Sequence, residues 1–184
     1  MILKLFYVFQ SSIIYSRIWK GGFCIIKTKE LEKKDMISKW FVDNQKKLYF
    51  VAISITKNHF LAEDALQDSY LKIIQKYHQL KKTELVKQWI TRIVTNQCKD
   101  ILKSNKIISV EESELEFPEN LNNEELYFYD TIKSLPLEEK EIITLKYLCK
   151  YEFNEIAEVL KIPISTVKSK LYRALEKIKE EWSD

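Results

Sequence analysis

FNEIAEVLKIPISTVKSKLYRALEKIK, residues 153–179, holds two helical patterns separated by a break. Ile156, Ala157, Val159 and Leu160 recur at helical spacing, and Lys161-Ile162-Pro163 then interrupts them, because proline disfavours helix at the residue before it. A second pattern follows. Val167, Leu171, Ala174, Leu175, Ile178 and Trp182 fall at i, i+4, i+7, i+8 and predict one buried stripe. The other face carries Ser165, Thr166, Lys168, Ser169, Lys170, Tyr172 and Arg173. Cations neutralise phosphates, and short polar side chains reach base edges in a major groove. A basic face alone would better suit an ordinary solvated helix. With the preceding helix and the Thr166-Val167-Lys168 start, the pattern predicts a helix-turn-helix whose second helix reads duplex DNA.

Composition agrees with helices. The 184 residues include two glycines, Gly21 and Gly22, and three prolines, Pro118, Pro136 and Pro163. So few turn-formers predict an all-α fold. The net charge of +3 is unevenly spread: +11 over residues 1–110, −9 over 111–141 and +1 over 142–184. Basic flanks suggest polyanion contacts at both ends, and the acidic middle reads as a linker. Cys24, Cys98 and Cys149 are far apart and form no CxxC, and His59 and His78 stand alone. That argues against a metal centre or a disulfide framework and for reduced thiols in a cytoplasmic protein. No cofactor is expected. No phosphate loop or placed carboxylate pair suggests an enzyme.

Residues 5–16 are uncharged and mostly apolar, but as a helix they span about 18 Å, short of the about 30 Å needed to cross a bilayer. The chain is therefore not expected to be a membrane protein. Residues 1–35 fit no coherent pattern and are expected to lie outside the functional domain, with Met36 as the native start. A first helix is predicted over 37–58, with Trp40, Phe41, Leu48, Val51, Ala52 and Ile55 on one apolar face. A second is predicted over 61–78, with Ala62, Ala65, Leu66, Tyr70, Ile73, Ile74 and Tyr77 inward. Asp64, Gln67 and Asp68 share another of its faces and could meet a basic partner, or simply be solvated. After the polar Lys81-Lys82-Thr83, a third helix is predicted over 84–105. There Trp89, Arg92, Asn96, Lys99, Lys103 and then Lys106 combine an aromatic with cations, as single-stranded nucleic acid requires, although Trp89 alone would suit a core. Tyr127, Phe128 and Tyr129 are expected to begin a second packing unit, and Leu135-Pro136 to open a helix whose Glu138, Glu139 and Glu141 favour its positive end.

These stretches resemble a known family. AEDALQDSYLKI, residues 62–73, resembles the D-x-x-Q-[DE]-[ST]-aromatic signature of sigma region 2.2. WITRIVTNQCKDILKSNK, residues 89–106, resembles regions 2.3–2.4, with the W…N-x-x-x-D-x-x-[RK] spacing at Trp89, Asn96, Asp100 and Lys103. LPLEEKEIITLKYL, residues 135–148, and EIAEVLKIPISTVKSKLYRAL, residues 155–175, resemble sigma region 4. From about residue 37 to 182 the chain is similar to the two-domain, extracytoplasmic-function (ECF) class of bacterial RNA polymerase sigma factors.

The resemblance implies two small helical domains, a region 2 bundle over 36–106 and a region 4 helix-turn-helix over 127–184, joined by an acidic linker over 107–126. It implies binding to core RNA polymerase through Asp64, Gln67, Asp68, Tyr70 and Lys72. It places recognition and melting of the minus-10 promoter element at Lys81, Lys82, Trp89, Arg92, Asn96, Lys99, Asp100, Lys103 and Lys106. It places duplex minus-35 reading at Ser165, Thr166, Lys168, Ser169, Tyr172 and Arg173. It also implies an anti-sigma partner, often membrane-bound in this family.

Three departures stand out. Lys161 occupies the turn position where glycine is frequent, so the turn must form without it. Ser165 stands where glycine is common, and positions 99, 103 and 106 are lysine where arginine is frequent, which keeps charge but loses bidentate geometry. A helix-turn-helix regulator acting without polymerase would share residues 155–173 but leave the Asp64–Gln67–Asp68 face and residues 89–106 without a role.

Overall fold

The computed structural model describes residues 26–105 and 123–182. Lys106, residues 107–122 of the expected linker, Cys24 and residues 1–25 lie outside the described residues.

The first half is a four-helix bundle: α1 (Ile26–Asp43), α2 (Gln45–Thr56), α3 (His59–Lys76) and α4 (Val86–Asn105). The single helix expected over 37–58 is two. They part at Asn44, whose Nδ2 and backbone N–H both donate to the Trp40 carbonyl, at 2.9 and 3.1 Å. The expected domain start at 36 falls inside α1, and Lys33 donates its ammonium to the Leu80 carbonyl beyond α3. Asn58 caps α3 by accepting from the Leu61 N–H at 3.0 Å, which satisfies an otherwise orphaned donor. Two short 3₁₀ turns, Tyr77–Gln79 and Thr83–Leu85, carry the chain from α3 to α4.

The second half contains α5 (Asn123–Ile132), α6 (Leu137–Ile143), a π turn (Thr144–Leu148), α7 (Phe153–Leu160) and α8 (Ile164–Glu181). Pro136 sits at the N-cap of α6, as the Leu135-Pro136 pair predicts. A capping box starts α7: Glu152 accepts from the N3 backbone, and its own N–H donates to Glu155 Oε2 at 2.8 Å. Lys161 ends α7 in the left-handed region (φ 56°, ψ 44°), so the turn keeps the geometry that glycine would supply. That conformation costs a residue with a Cβ about 1–2 kcal/mol. Val167, Leu171 and Ala174 of α8 are buried. Trp182 departs from the expected stripe: α8 outruns the core, and Trp182 is 62% exposed, its ring tilted against Tyr127 with centroids 5.8 Å apart.

The halves share one buried core, and α2 explains why. Every residue from Leu48 to Thr56 is buried, where the sequence predicted a single apolar face. α2 packs on α3 and α4 on one side and on α6 and the π turn on the other. A helix enclosed on both sides needs no polar face. Its hydroxyls are satisfied internally: Ser54 donates to the Val51 carbonyl and Thr56 to the Ala52 carbonyl, both at 2.9 Å. Among the described residues there is no strand, and no helix is long and apolar enough to cross a membrane.

Candidate polymerase and nucleic-acid interfaces

Three surfaces emerge. The first is the outer face of α3. Asp64, Gln67 and Asp68 are exposed there, because Ala62, Ala65, Leu66 and Ser69 turn inward and leave these positions outward. Asp68 is held in place: its Oδ2 accepts from Gln97 Nε2 of α4 at 2.8 Å, and Gln97 Oε1 accepts from the Lys72 ammonium. Tyr70 is buried against Phe41, with ring centroids 5.1 Å apart, and supports this face from beneath instead of lying on it. Phe60 (68% exposed) and Leu71 (50%) extend the same stripe at both ends. The residue spacing 60, 64, 67, 68, 71 is helical, so this apolar edging was visible as pattern. Spacing does not separate such an edging from core, because Leu and Phe at helical positions suit either.

The second surface is α4 with the turn before it. Lys81 and Lys82 are exposed between the two 3₁₀ turns. Trp89, Arg92, Asn96, Lys99 and Lys103 follow one another along one face of α4. Asn96, Asp100 and Lys103 are exposed, Asp100 and Lys103 forming a 3.9 Å ion pair. Trp89 is half-buried and packs against the core, which leaves part of its ring at the surface. Arg92 and Lys99 are already engaged by the second half. Arg92 donates Nη2 to the Glu158 carbonyl, and Lys99 pairs with Glu141 at 2.8 Å. Burial pushes the Glu141 carboxyl upward, while Lys99 works against that shift. Glu141, expected to favour the N-terminal end of α6, instead serves a partner in the other half.

The third surface is the free face of α8. Ser165, Lys168, Ser169, Tyr172 and Arg173 are exposed, and Thr166 is half-buried. Ser169 donates to the Thr166 carbonyl at 3.1 Å. Lys168 Nζ lies 5.5 Å from the centre of the Phe153 ring, which joins α8 to the start of α7. Lys170, at the edge, pairs with Glu138. The N-cap of α8 is Pro163, which offers no side-chain cap, so first-turn N–H groups face outward beside Ser165. The arrangement is a helix presented by its partner helix, with hydroxyls and cations together at its leading end.

The chain matches two family models, Sigma-70 region 2 over residues 40–107 and Sigma-70, region 4 over residues 125–178. It is 29% identical over 153 residues to the RNA polymerase sigma factor SigV of Bacillus subtilis, covering 80% of this chain and 92% of that protein. It is 30% identical over 137 residues to the ECF RNA polymerase sigma-E factor of Haemophilus influenzae, covering 64% of this chain and 72% of that one. In structure it is similar to the sigma factor RpoE of Bartonella quintana, solved with the anti-sigma factor NepR: TM-score 0.66, 21% identity, 77% of this chain and 93% of that. It is similar also to CnrH, solved with the cytosolic domain of CnrY: TM-score 0.60, 16% identity, 80% of this chain and 87% of that. Two regions of one family, matched in order on the halves that carry these surfaces, place the chain: it belongs to the sigma-70 family, in the extracytoplasmic-function class of RNA polymerase sigma factors.

Proposed function

We propose that this sigma factor, which binds core RNA polymerase and directs it to promoters, divides that work among the three surfaces. The α3 face, with Asp64, Gln67 and Asp68 outermost, Phe60 and Leu71 at its ends and Tyr70 and Lys72 behind it, docks on a basic surface of the polymerase. Lys81, Lys82 and the Trp89–Lys103 face of α4 capture the opened minus-10 strand, Lys106 adding charge beyond it. Ser165, Thr166, Lys168, Ser169, Tyr172 and Arg173 read the minus-35 duplex from the major groove. Residues 36–106 and 127–184 are the two working domains, and the acidic stretch 107–126 connects them.

Melting needs no hydrolysis in this scheme. Binding free energy from stacking and phosphate contacts favours the unpaired strand, at about 1–3 kcal/mol for each stacked base. We assign no catalytic role to any residue. A cytoplasmic location follows from the partner, since transcription takes place there. The anti-sigma factor NepR in the Bartonella complex motivates a similar inhibitory partner for this chain, membrane-bound or soluble.

The observation that carries the reading is the exposed acceptor face of α3 on a bundle that is otherwise basic. A regulator working without polymerase would have no use for it. Co-elution with core RNA polymerase tests it. The intact chain should co-elute, and Asp64→Ala with Gln67→Ala should not, while duplex binding by α8 is kept. Co-elution unchanged by the double substitution would move polymerase docking to another face.

A further inference from the structure

We propose that Gln97 of α4 is a positioning residue for polymerase docking: its side-chain amide stands between Asp68 and Lys72 and keeps the Asp68 carboxylate from being neutralised by the lysine one turn along its own helix. This rests on the reading of the α3 face as the polymerase surface.

The sequence of α3 sets the problem. Asp68 and Lys72 are four residues apart with the acid on the N-terminal side, the favoured order for an ion pair along a helix. Lys72 is also the only lysine or arginine between residues 58 and 75. On an isolated helix the two would pair, and a carboxylate paired within its own chain has less charge to offer a basic partner. The fold does otherwise. Among the described residues, Asp68 and Lys72 make no ion pair with each other; each turns to Gln97. Asp68 Oδ2 accepts from Gln97 Nε2 at 2.8 Å, and the Lys72 ammonium donates to Gln97 Oε1.

A primary amide suits this place because it donates at one end and accepts at the other. A carboxylate only accepts and an ammonium only donates, so the reverse orientation would set acceptor against acceptor and donor against donor. Both bonds involve a charged partner, which makes them stronger than bonds between neutral groups. Gln97 is 7% exposed, in the seam where α4 packs on α3, so water competes little for its amide. A solvent-exposed i, i+4 ion pair contributes less than either bond, and the bridged arrangement therefore prevails. Asp68 itself stays exposed, and the bridge uses one of its two oxygens. The neighbours of Gln97 show how α4 divides its labour: Asn96 is exposed on the face with Arg92 and Lys103, Cys98 is buried in the core, and Gln97 between them turns toward α3.

The test uses the full chain and core RNA polymerase. Gln97→Met keeps the length of the side chain and removes both bonds, and polymerase affinity should fall by about tenfold, within the range of coupling between contacting residues. Asp68→Ala should cost about tenfold in the wild type but less than about twofold more in the Gln97→Met background, where the carboxylate is already neutralised. Asp64→Ala should cost the same in both backgrounds, which a general loosening of the bundle would not allow. Adding Lys72→Met to Gln97→Met removes the released cation and should recover most of the loss. Gln97→Asn, whose shorter amide cannot span both partners, is the milder variant should Gln97→Met fold poorly, and it should lose affinity in the same direction. Unchanged affinity on loss of the Gln97 amide, an undiminished effect of Asp68→Ala in that background, or no recovery with Lys72→Met would each overturn the proposal. Asp68→Ala in the otherwise wild-type chain separates it from the reading beneath it. No loss there rejects Asp68 as a polymerase contact and the proposal with it; a loss there with none from Gln97→Met rejects the role of Gln97 alone.

Discussion

α4 and α8 are both amphipathic helices, and on both the residue spacing gathers cations on one face. They differ in what the fold does with that face. On α8, Ser165, Lys168, Ser169, Tyr172 and Arg173 all look into solvent. On α4, Arg92 and Lys99 are held by Glu158 and Glu141 of the other half, and only Asn96 and Lys103 of that row stay fully exposed. A sequence shows which charges share a face; whether they are free depends on what packs against them. The helix proposed to grip a melted strand is the one partly covered, whereas the proposed duplex reader is left open.

The largest expected effect strikes the support of the open helix. Leu171→Ala removes a buried anchor of α8 and should cost about 2–5 kcal/mol in denaturant unfolding, with minus-35 binding lost as the helix loosens. A loss below 1 kcal/mol would mean that α8 is held chiefly by its ends. Next come the contacts themselves. Lys168→Ala and Arg173→Ala should each weaken duplex binding and lower the salt slope by about one. Lys99→Ala should weaken DNA binding by the free chain less than Lys168→Ala does, because Glu141 already holds Lys99 at 2.8 Å while Lys168 is exposed. Equal losses would erase the contrast between the two helices.

The buried thiols sharpen the comparison through pH. Cys98 on α4 and Cys149 beside α2 are both pushed by burial from an ordinary value of 9.0 up to about 12. Between those limits the unfolded chain releases protons that the folded chain keeps. Their stabilising contribution is therefore complete below pH 9 and is lost as pH rises toward 12. Unfolding midpoints in denaturant should fall across that window, and Cys98→Ala with Cys149→Ala should flatten the fall. The smallest effect belongs to the turns. Lys57 ends α2 at φ 53° and Lys161 ends α7 at φ 56°, one in each half. Replacing either by glycine should raise stability by up to about 1 kcal/mol in thermal unfolding, the relief at positive φ offset partly by backbone entropy. DNA binding should not change.

Several features could be read from the sequence because they are local. The break at Lys161-Ile162-Pro163, the stripe Val167–Leu171–Ala174 and the outward set Asp64–Gln67–Asp68 follow from helical periodicity and from what proline does to its neighbour. Asn44 carries no strong stop signal, because a single polar residue inside an apolar pattern can simply face solvent. Trp182 fits the stripe by spacing, because periodicity continues past the point where the core ends. Nothing near Gln97 in the sequence shows that Asp68 and Lys72 converge on it from another helix.

By itself, then, the sequence determined most of the helices, the turn between α7 and α8, which side chains share an outward face, and the family whose two regions they form. Those depend on residues within a few turns of one another, where spacing is geometry. Only the tertiary structure decided that α2 is enclosed on both sides, that Tyr70 lies beneath its face, and that Glu125, Glu141 and Glu155 pair with lysines of the first half. Lys87 and Glu155 are 68 residues apart, and a charge pattern along the chain carries no information about which distant partner will desolvate it. That choice is made when the apolar residues of both halves close into one core and bring their charged rims together.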